Sequence, residues 1–462
     1  MVCDQLEKYE ILKKIYKGQY SLLLCLTRVF ETCIDVPGIM VLRDGHQVSR
    51  TSDFIIYSVE AEFIDSVVAK YGPCMSLIHP SRSLSPANTF FGPPATKVGA
   101  IVAGQTSVKA PEKEAFEKYL PTDVHIVSCH SLHGPTVSPL GQPLVRPHLS
   151  LQRMSILNFT LQVLIRHRAP EECLTLVENI LRPFGSRYVY LSYRDHDTLT
   201  ANTQAVTHAA FLSMGTAWSH STTYPWEHGY YVGGIETVKV NIMLRIYSNK
   251  WHVYAGLAIL NPEAGRMIEE FAGSVTDLFK LMLGGDERGL RERVWKAREK
   301  VFGFKAEGEE NDEGTRPIFL SEDILDRFSL GSPSQDQTPK SNSHLSLLAM
   351  VDCWSALSIQ PMHHLSLAAT PIFRLWIGVA EYLFRSPARL NAAIDAACRD
   401  SRYRSDDLEF VVAARGWSQC VSFGNFELYR KRFESTRAFF ESRFEEAEAL
   451  GSAMIRAIME EQ

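Results

Sequence analysis

Residues 97–135 read KVGAIVAGQTSVKAPEKEAFEKYLPTDVHIVSCHSLHGP, and this stretch decides the fold. A β-rich apolar run, KVGAIVAG (97–104), is followed by a segment of helix formers, APEKEAFEKYL (110–120), and then by a second β-rich run, VHIVSC (124–129). Strand, helix and strand in succession predict parallel strands joined by a crossover helix. The same order extends upstream through DFIIYSV (53–59) and EAEFIDSVVAKYG (60–72). Downstream, APEECLTLVENILRPFG (169–185) carries Leu174, Val177 and Leu181 on one stripe and leads into RYVYLSY (187–193). Residues 1–195 are therefore read as a doubly wound α/β domain.

From residue 196 to 462 strands become scarce and helical periodicity dominates. In NPEAGRMIEEFAGSVTDLFKLMLGG (261–285), Asn261 is an expected cap, Pro262 suits the first turn, Phe271, Val275, Leu278 and Met282 form a stripe, and Gly284 ends the helix. TPIFRLWIGVAEYLF (370–384) is apolar nearly all round, so it must be buried within the subunit or against a second one. Residues 306–343, rich in Gly, Ser, Pro and Asp, read as a flexible loop with one short helix. Three stretches, 19–37, 74–94 and 146–164, have no clear period and are read as insertions of the kind a translated intron would leave.

A length of 462 residues implies two domains. The formal net charge of -5 offers no basic surplus for a phosphate backbone, which argues against nucleic acid as a partner. Nine scattered cysteines without a CxxC pair read as free thiols, with neither a disulfide framework nor a metal site. No cationic leader and no bilayer-length apolar run is recognisable, so a soluble cytoplasmic protein is expected, with no membrane partner.

VAGQTSVK (102–109) and VSCHSLHGP (127–135) both lie where a strand gives out. Ligands of open parallel sheets bind beyond the carboxyl ends of the strands, so Ser107, Lys109 and His130 are expected to face one pocket. His130 is the leading acid or base, and the plainer alternative is that His130 and His133 only hydrogen-bond a turn. On LTANTQAVTHAAFLSMGTAW (199–218), Gln204 and His208 share a face amid small residues, which suits either a ligand or a tight helix crossing. Arg245 sits in an apolar run and must find an anion, whether a substrate carboxylate or a structural partner such as Glu236 or Asp197.

LRDGHQVSRTSDFIIYSVEA, VGAIVAGQTSVKAPEKEAFEKYLPTD, HSLHGP, TANTQAVTHAAFLSMG, NIMLRIYSNKWHVYAGLAILNP, NSHLSLLAMVD and DDLEFVVAARGWS together resemble prephenate dehydrogenases of the long fungal, NADP-using type. The resemblance implies a Rossmann-like amino-terminal domain, a helical substrate-binding and dimerisation domain, and oxidative decarboxylation of prephenate to 4-hydroxyphenylpyruvate in tyrosine biosynthesis. It implies that His130 takes the hydroxyl proton, that Ser107 steadies it, and that Arg245, His208 and Gln204 hold the substrate. Lys109 is expected to add positive potential. Asp4, Ser58 and Val59 fall at cofactor-binding positions, for NADP with NAD as the alternative, and a homodimer is expected. The G-x-G-x-x-G turn and first strand of the family pattern are absent from this sequence, so the α/β domain is read as incomplete. The competing readings are an impaired relative serving as a helical assembly module, and a reductase for a β-hydroxyacid.

Overall fold

The computed structural model describes residues 22–25, 39–42, 45–73, 96–132, 161–220, 224–231, 234–304, 342–368 and 371–449. It divides into two compact units, Met1–Asp197 and Thr198–Gln462. Asp4, His133 and almost all of the loop expected at 306–343 lie outside the described residues, as does the stretch 74–94.

In the first unit, β1 (Leu22–Cys25) and β2 (Ile39–Leu42) form a parallel pair, followed by α1 (Gly45–Thr51). A five-stranded sheet then runs in the order β3 (Phe54–Tyr57), β4 (Ile101–Gly104), β5 (His125–Ser131), β6 (Leu161–Arg168), β7 (Arg187–Tyr190). β3, β4 and β5 are parallel, and the crossovers carry α2 (Ile64–Tyr71) and α3 (Ala110–Tyr119). Apolar residues point both ways because both faces are covered. Ile55, Val102, Val124 and Ile126 pack on Ile64, Val68 and Phe116 of α2 and α3. Ile101, Ala103, Val127, Cys129 and Leu164 pack on Leu174, Val177 and Leu181 of α4 (Glu171–Leu181).

Two features depart from the expected pattern. β6 runs antiparallel to β5, so the sheet is mixed, and β7 pairs parallel with β6. The last four residues of the stretch 146–164 also belong to this strand, because Leu161–Leu164 pair with β7. Side-chain period reports which faces are buried and carries no information about strand direction.

The second unit is helical. A continuous helical run starts in the first unit as α5 (Tyr193–Thr200), widens into a π-turn over Ala201–Ala205 and continues as α6 (Val206–Ser219). α7 (Gly234–Ser248), α8 (Trp251–Ile259), α9 (Ala264–Gly284) and α10 (Glu287–Phe302) follow. The stripe of Phe271, Val275, Leu278 and Met282 is buried on α9 as its period requires. The helix starts later than expected, however. Asn261 accepts from the Glu263 amide at 3.0 Å and donates to Thr200 at 3.2 Å, which leaves Pro262 in the turn before the helix. Gly285, at φ 65°, supplies the left-handed C-cap.

α11 (Leu345–Ala356), α12 (Pro361–Ala368), α13 (Pro371–Arg385), α14 (Pro387–Arg399), α15 (Arg404–Ser422) and α16 (Phe426–Phe440) complete the unit. α13 buries Phe373, Trp376, Ile377, Val379, Leu383 and Phe384 inside this chain, with Trp376 edge-on to Phe211. Its all-round apolarity is thus met without a second subunit. Among the described residues no helix is long and apolar enough to cross a membrane.

Candidate active site

The carboxyl ends of β3, β4 and β5 lie side by side, with Tyr57 opposite Gly104 in the register. Ser58 and Val59 leave β3 there, half-buried, and Ser107 sits half-buried on the loop between β4 and α3. His130, one residue before the end of β5, is 8% exposed. Gln105 crosses the same edge, donating to Ser131 Oγ at 2.6 Å while its carbonyl accepts from Cys129 Sγ at 2.9 Å.

His130 does not simply bond a turn. Its Nδ1 lies 2.8 Å from Nε2 of His196, and Nδ1 of His196 lies 2.9 Å from Oδ1 of Asp197. Both carboxylate oxygens of Asp197 are also bound by backbone: Oδ1 accepts from the Lys109 amide and Oδ2 from the Ala110 amide, each at 2.7 Å. These are amides at the N-terminal end of α3, where donors lack intrahelical acceptors and the helix dipole favours an anion.

The tautomers follow from this order. Asp197 as a carboxylate can only accept, so His196 presents Nδ1–H to it and Nε2 as acceptor to His130. His130 then carries its proton on Nδ1, which makes Nε2 the basic nitrogen. Burial, with the Lys109 charge adding to it, holds His196 well below the usual imidazole range and therefore neutral. Burial pushes the Asp197 carboxyl up to about 6, against the lowering effect of the two amides and Lys109. Sequence reading missed His196 and Asp197, because RDHD (194–197) looks like an ordinary polar turn.

Lys109 corrects its expected role. It is 0% exposed and supplies no potential to a pocket. Its ammonium donates to Glu112 Oε2 at 2.8 Å and to the carbonyls of Gly104 and Cys129 at 3.0 Å each. Those carbonyls belong to the ends of β4 and β5, so Lys109 fastens the two strands that frame His130. Glu112 is also bound by the hydroxyls of Thr106 and Ser128. A side chain on Gly104 would collide with the Glu112 carboxylate, so only glycine fits at this strand end.

The helical unit makes its own cluster. His208 on α6 stands edge-on to Tyr254 of α8, rings 4.7 Å apart, and its buried Nδ1 has no hydrogen-bond partner. Burial lowers the His208 pKa to about 3, so the ring is a neutral polar contact and not a cation. Arg245 on α7 lies close enough to Tyr254 for its charge to favour the phenolate, while Asn249 donates to the Tyr254 hydroxyl at 3.1 Å.

The two structural partners expected for Arg245 are engaged elsewhere. Glu236 pairs with Lys239 at 2.7 Å and His344 at 2.8 Å, and Asp197 is held as described. Among the described residues no carboxylate meets the Arg245 guanidinium. Gln204 is half-buried in the π-turn, a helical irregularity frequent at functional sites. In the same turn Asn202 donates to Nε2 of His364 at 3.1 Å, while Nδ1 of His364 donates to the Gln360 carbonyl at 2.7 Å.

An α/β unit with a supported imidazole at the carboxyl end of a parallel strand, followed by an all-helical unit, defines a two-domain dehydrogenase class. Residues 205–460 match a family model described as a 6-phosphogluconate dehydrogenase C-terminal domain. A Schizosaccharomyces pombe protein described as "Probable prephenate dehydrogenase (NADP+)" is 48% identical over 460 residues, covering 99% of this chain and 92% of that protein. The Saccharomyces cerevisiae prephenate dehydrogenase (NADP+) is 45% identical over 464 residues, covering 99% of this chain and 88% of its own. This chain belongs to the prephenate dehydrogenase family. A crystal structure of the A. aeolicus prephenate dehydrogenase with hydroxyphenyl propionate and NAD+ overlays with a TM-score of 0.45 at 16% identity, covering 64% of this chain and 94% of that one.

Proposed function

We propose that this chain oxidises prephenate at its ring carbinol with loss of the ring carboxylate, giving 4-hydroxyphenylpyruvate, carbon dioxide and a reduced nicotinamide. The observation that carries the reading is the hydrogen-bonded series His130, His196, Asp197, which fixes a base at a sheet edge. NADP, when bound, supplies the hydride acceptor. The half-buried Ser58, Val59 and Ser107 at the strand ends fit the nicotinamide end of such a cofactor, and Asp4 is assigned to the ribose. The full-length identity to proteins named for this activity supports the enzyme over an assembly module.

In this mechanism Nε2 of His130 takes the hydroxyl proton as the C–H electron pair departs from the same carbon. The electron pair of the breaking bond to the ring carboxylate then completes the aromatic ring. Ser107 steadies the hydroxyl, and Arg245 grips the side-chain carboxylate with its planar fork. The orphaned Nδ1 of His208 finds its partner on the substrate, with Gln204 beside it. A homodimer through the helical unit and a cytoplasmic location go with this reading, and the described cysteines are all free thiols. The test is a prephenate-dependent reduction assay with NADP, NAD and arogenate arms. Absence of turnover with prephenate under either cofactor overturns the proposal.

Two expected results follow from the geometry. Arg245→Leu raises the KM for prephenate about a hundredfold, the worth of one charge-assisted pair, with a smaller effect on kcat. A KM within threefold of wild type removes Arg245 from the site.

The second concerns pH. Asp197 must be ionised to accept from His196 and two amides, so kcat/KM falls as pH drops through about 6. Asp197→Asn abolishes that acid limb and lowers activity at all pH values. A profile unchanged by Asp197→Asn contradicts the assignment.

A further inference from the structure

Beyond this site, the helical unit holds a cleft of about 640 Å³ whose lining includes Thr216, His220, Val412, Arg415, Arg432 and Phe439. That volume is within the usual range for small-ligand pockets. Thr216 stands two turns past His208 on α6, about 12 Å along the axis at 1.5 Å per residue. The cleft is therefore separate from the His208 cluster.

Two arginines give the cleft its chemistry. Elsewhere on these helices arginines meet carboxylates: Arg430 pairs with Glu427, Arg437 with Glu441, Arg399 with Glu287 and Arg402 with Asp400. Arg432 and Arg415 have no carboxylate among the described residues. The half-buried Arg432 lies over the Trp417 ring, 5.1 Å from its centroid, and donates only weakly to the Ala413 carbonyl at 3.5 Å. Its Nε is buried without a partner. Arg415 donates through Nε to the Thr276 hydroxyl at 2.7 Å.

The seat of Arg432 is shaped for it. A Cβ on Gly416 would come within 2.6 Å of its guanidinium, so glycine is what lets the planar group lie against α15. The one nearby acid, Glu409, is bonded to His220 at 2.7 Å. Val411, Val412 and Phe439 form an apolar wall beside the two cations. A half-buried guanidinium without an anion is costly, and a ligand carboxylate would relieve that cost.

We propose that this cleft binds a small organic carboxylate with an apolar body, its anionic end between Arg415 and Arg432 and its body against Val412 and Phe439. Phenylacetate is the probe. Calorimetric titration into the full chain shows saturable binding. Arg432→Gln weakens it at least about tenfold, the worth of a charge-assisted contact. Arg415→Gln, at an exposed position, weakens it several-fold without touching the packing, which guards against misfolding of the first variant. Both variants keep the wild-type turnover of prephenate. Phenylacetate binding that survives both substitutions overturns the proposal. So does a change in sedimentation of Arg432→Gln with phenylacetate affinity intact, since the cleft would then be a contact between two copies of the chain.

Discussion

Replacing His130 with Asn lowers kcat for prephenate oxidation by about 10²- to 10⁴-fold, the span over which a positioned general base contributes. The KM stays near its wild-type value. Asn is the informative replacement because its amide can still donate to Nε2 of His196, so the bond now measured at 2.8 Å survives and the packing around it changes little. What disappears is the basic Nε2. Steady-state kinetics beside a thermal melt separate the two effects: the expected variant melts like wild type and turns over slowly. A kcat within tenfold of wild type, in a folded protein, removes His130 as the base. Loss of the melt together with activity would assign it to structure.

The largest effect on stability is expected at Lys109. Both Lys109 and Glu112 are 0% exposed, and Lys109→Met leaves a buried carboxylate without its cation. Breaking such a pair by removing one partner costs about 3–5 kcal/mol. Here the substitution also frees the carbonyls of Gly104 and Cys129, so the strand ends framing His130 lose their common tie. Urea unfolding of the full chain reads the loss as a lower midpoint for the α/β unit. The double variant Lys109→Met with Glu112→Gln recovers part of it, because no buried charge then remains. A single variant as stable as wild type would mean that water reaches Glu112, contrary to its burial.

Much of this arrangement could be read from residues alone, and the reasons it stopped where it did are physical. DFIIYSV, KVGAIVAG and VHIVSC announce buried strands because β-branched residues run between turn signals, and β3, β4 and β5 occupy them. LQVLIRHR does not announce β6: it emerges from an aperiodic stretch, and its partner is set by the return of the chain. His130 was legible by its place at a strand end. Its support was not, since Asp197 reaches the amide of Lys109 across 88 positions and only folding brings a polar tetrapeptide onto a helix terminus. Lys109 illustrates the opposite error. A lysine beside a crevice invites a reading as surface charge, while its contacts make it an internal brace.

The neutral His196 has a consequence for how each catalytic cycle must close. An imidazole that resists protonation, wedged between His130 and Asp197, is a cul-de-sac for a hydrogen ion. Whatever His130 captures cannot drain inward to the acid behind it and has to depart by the nitrogen through which it arrived. The enzyme would then reset only after its aromatic product has vacated that doorway.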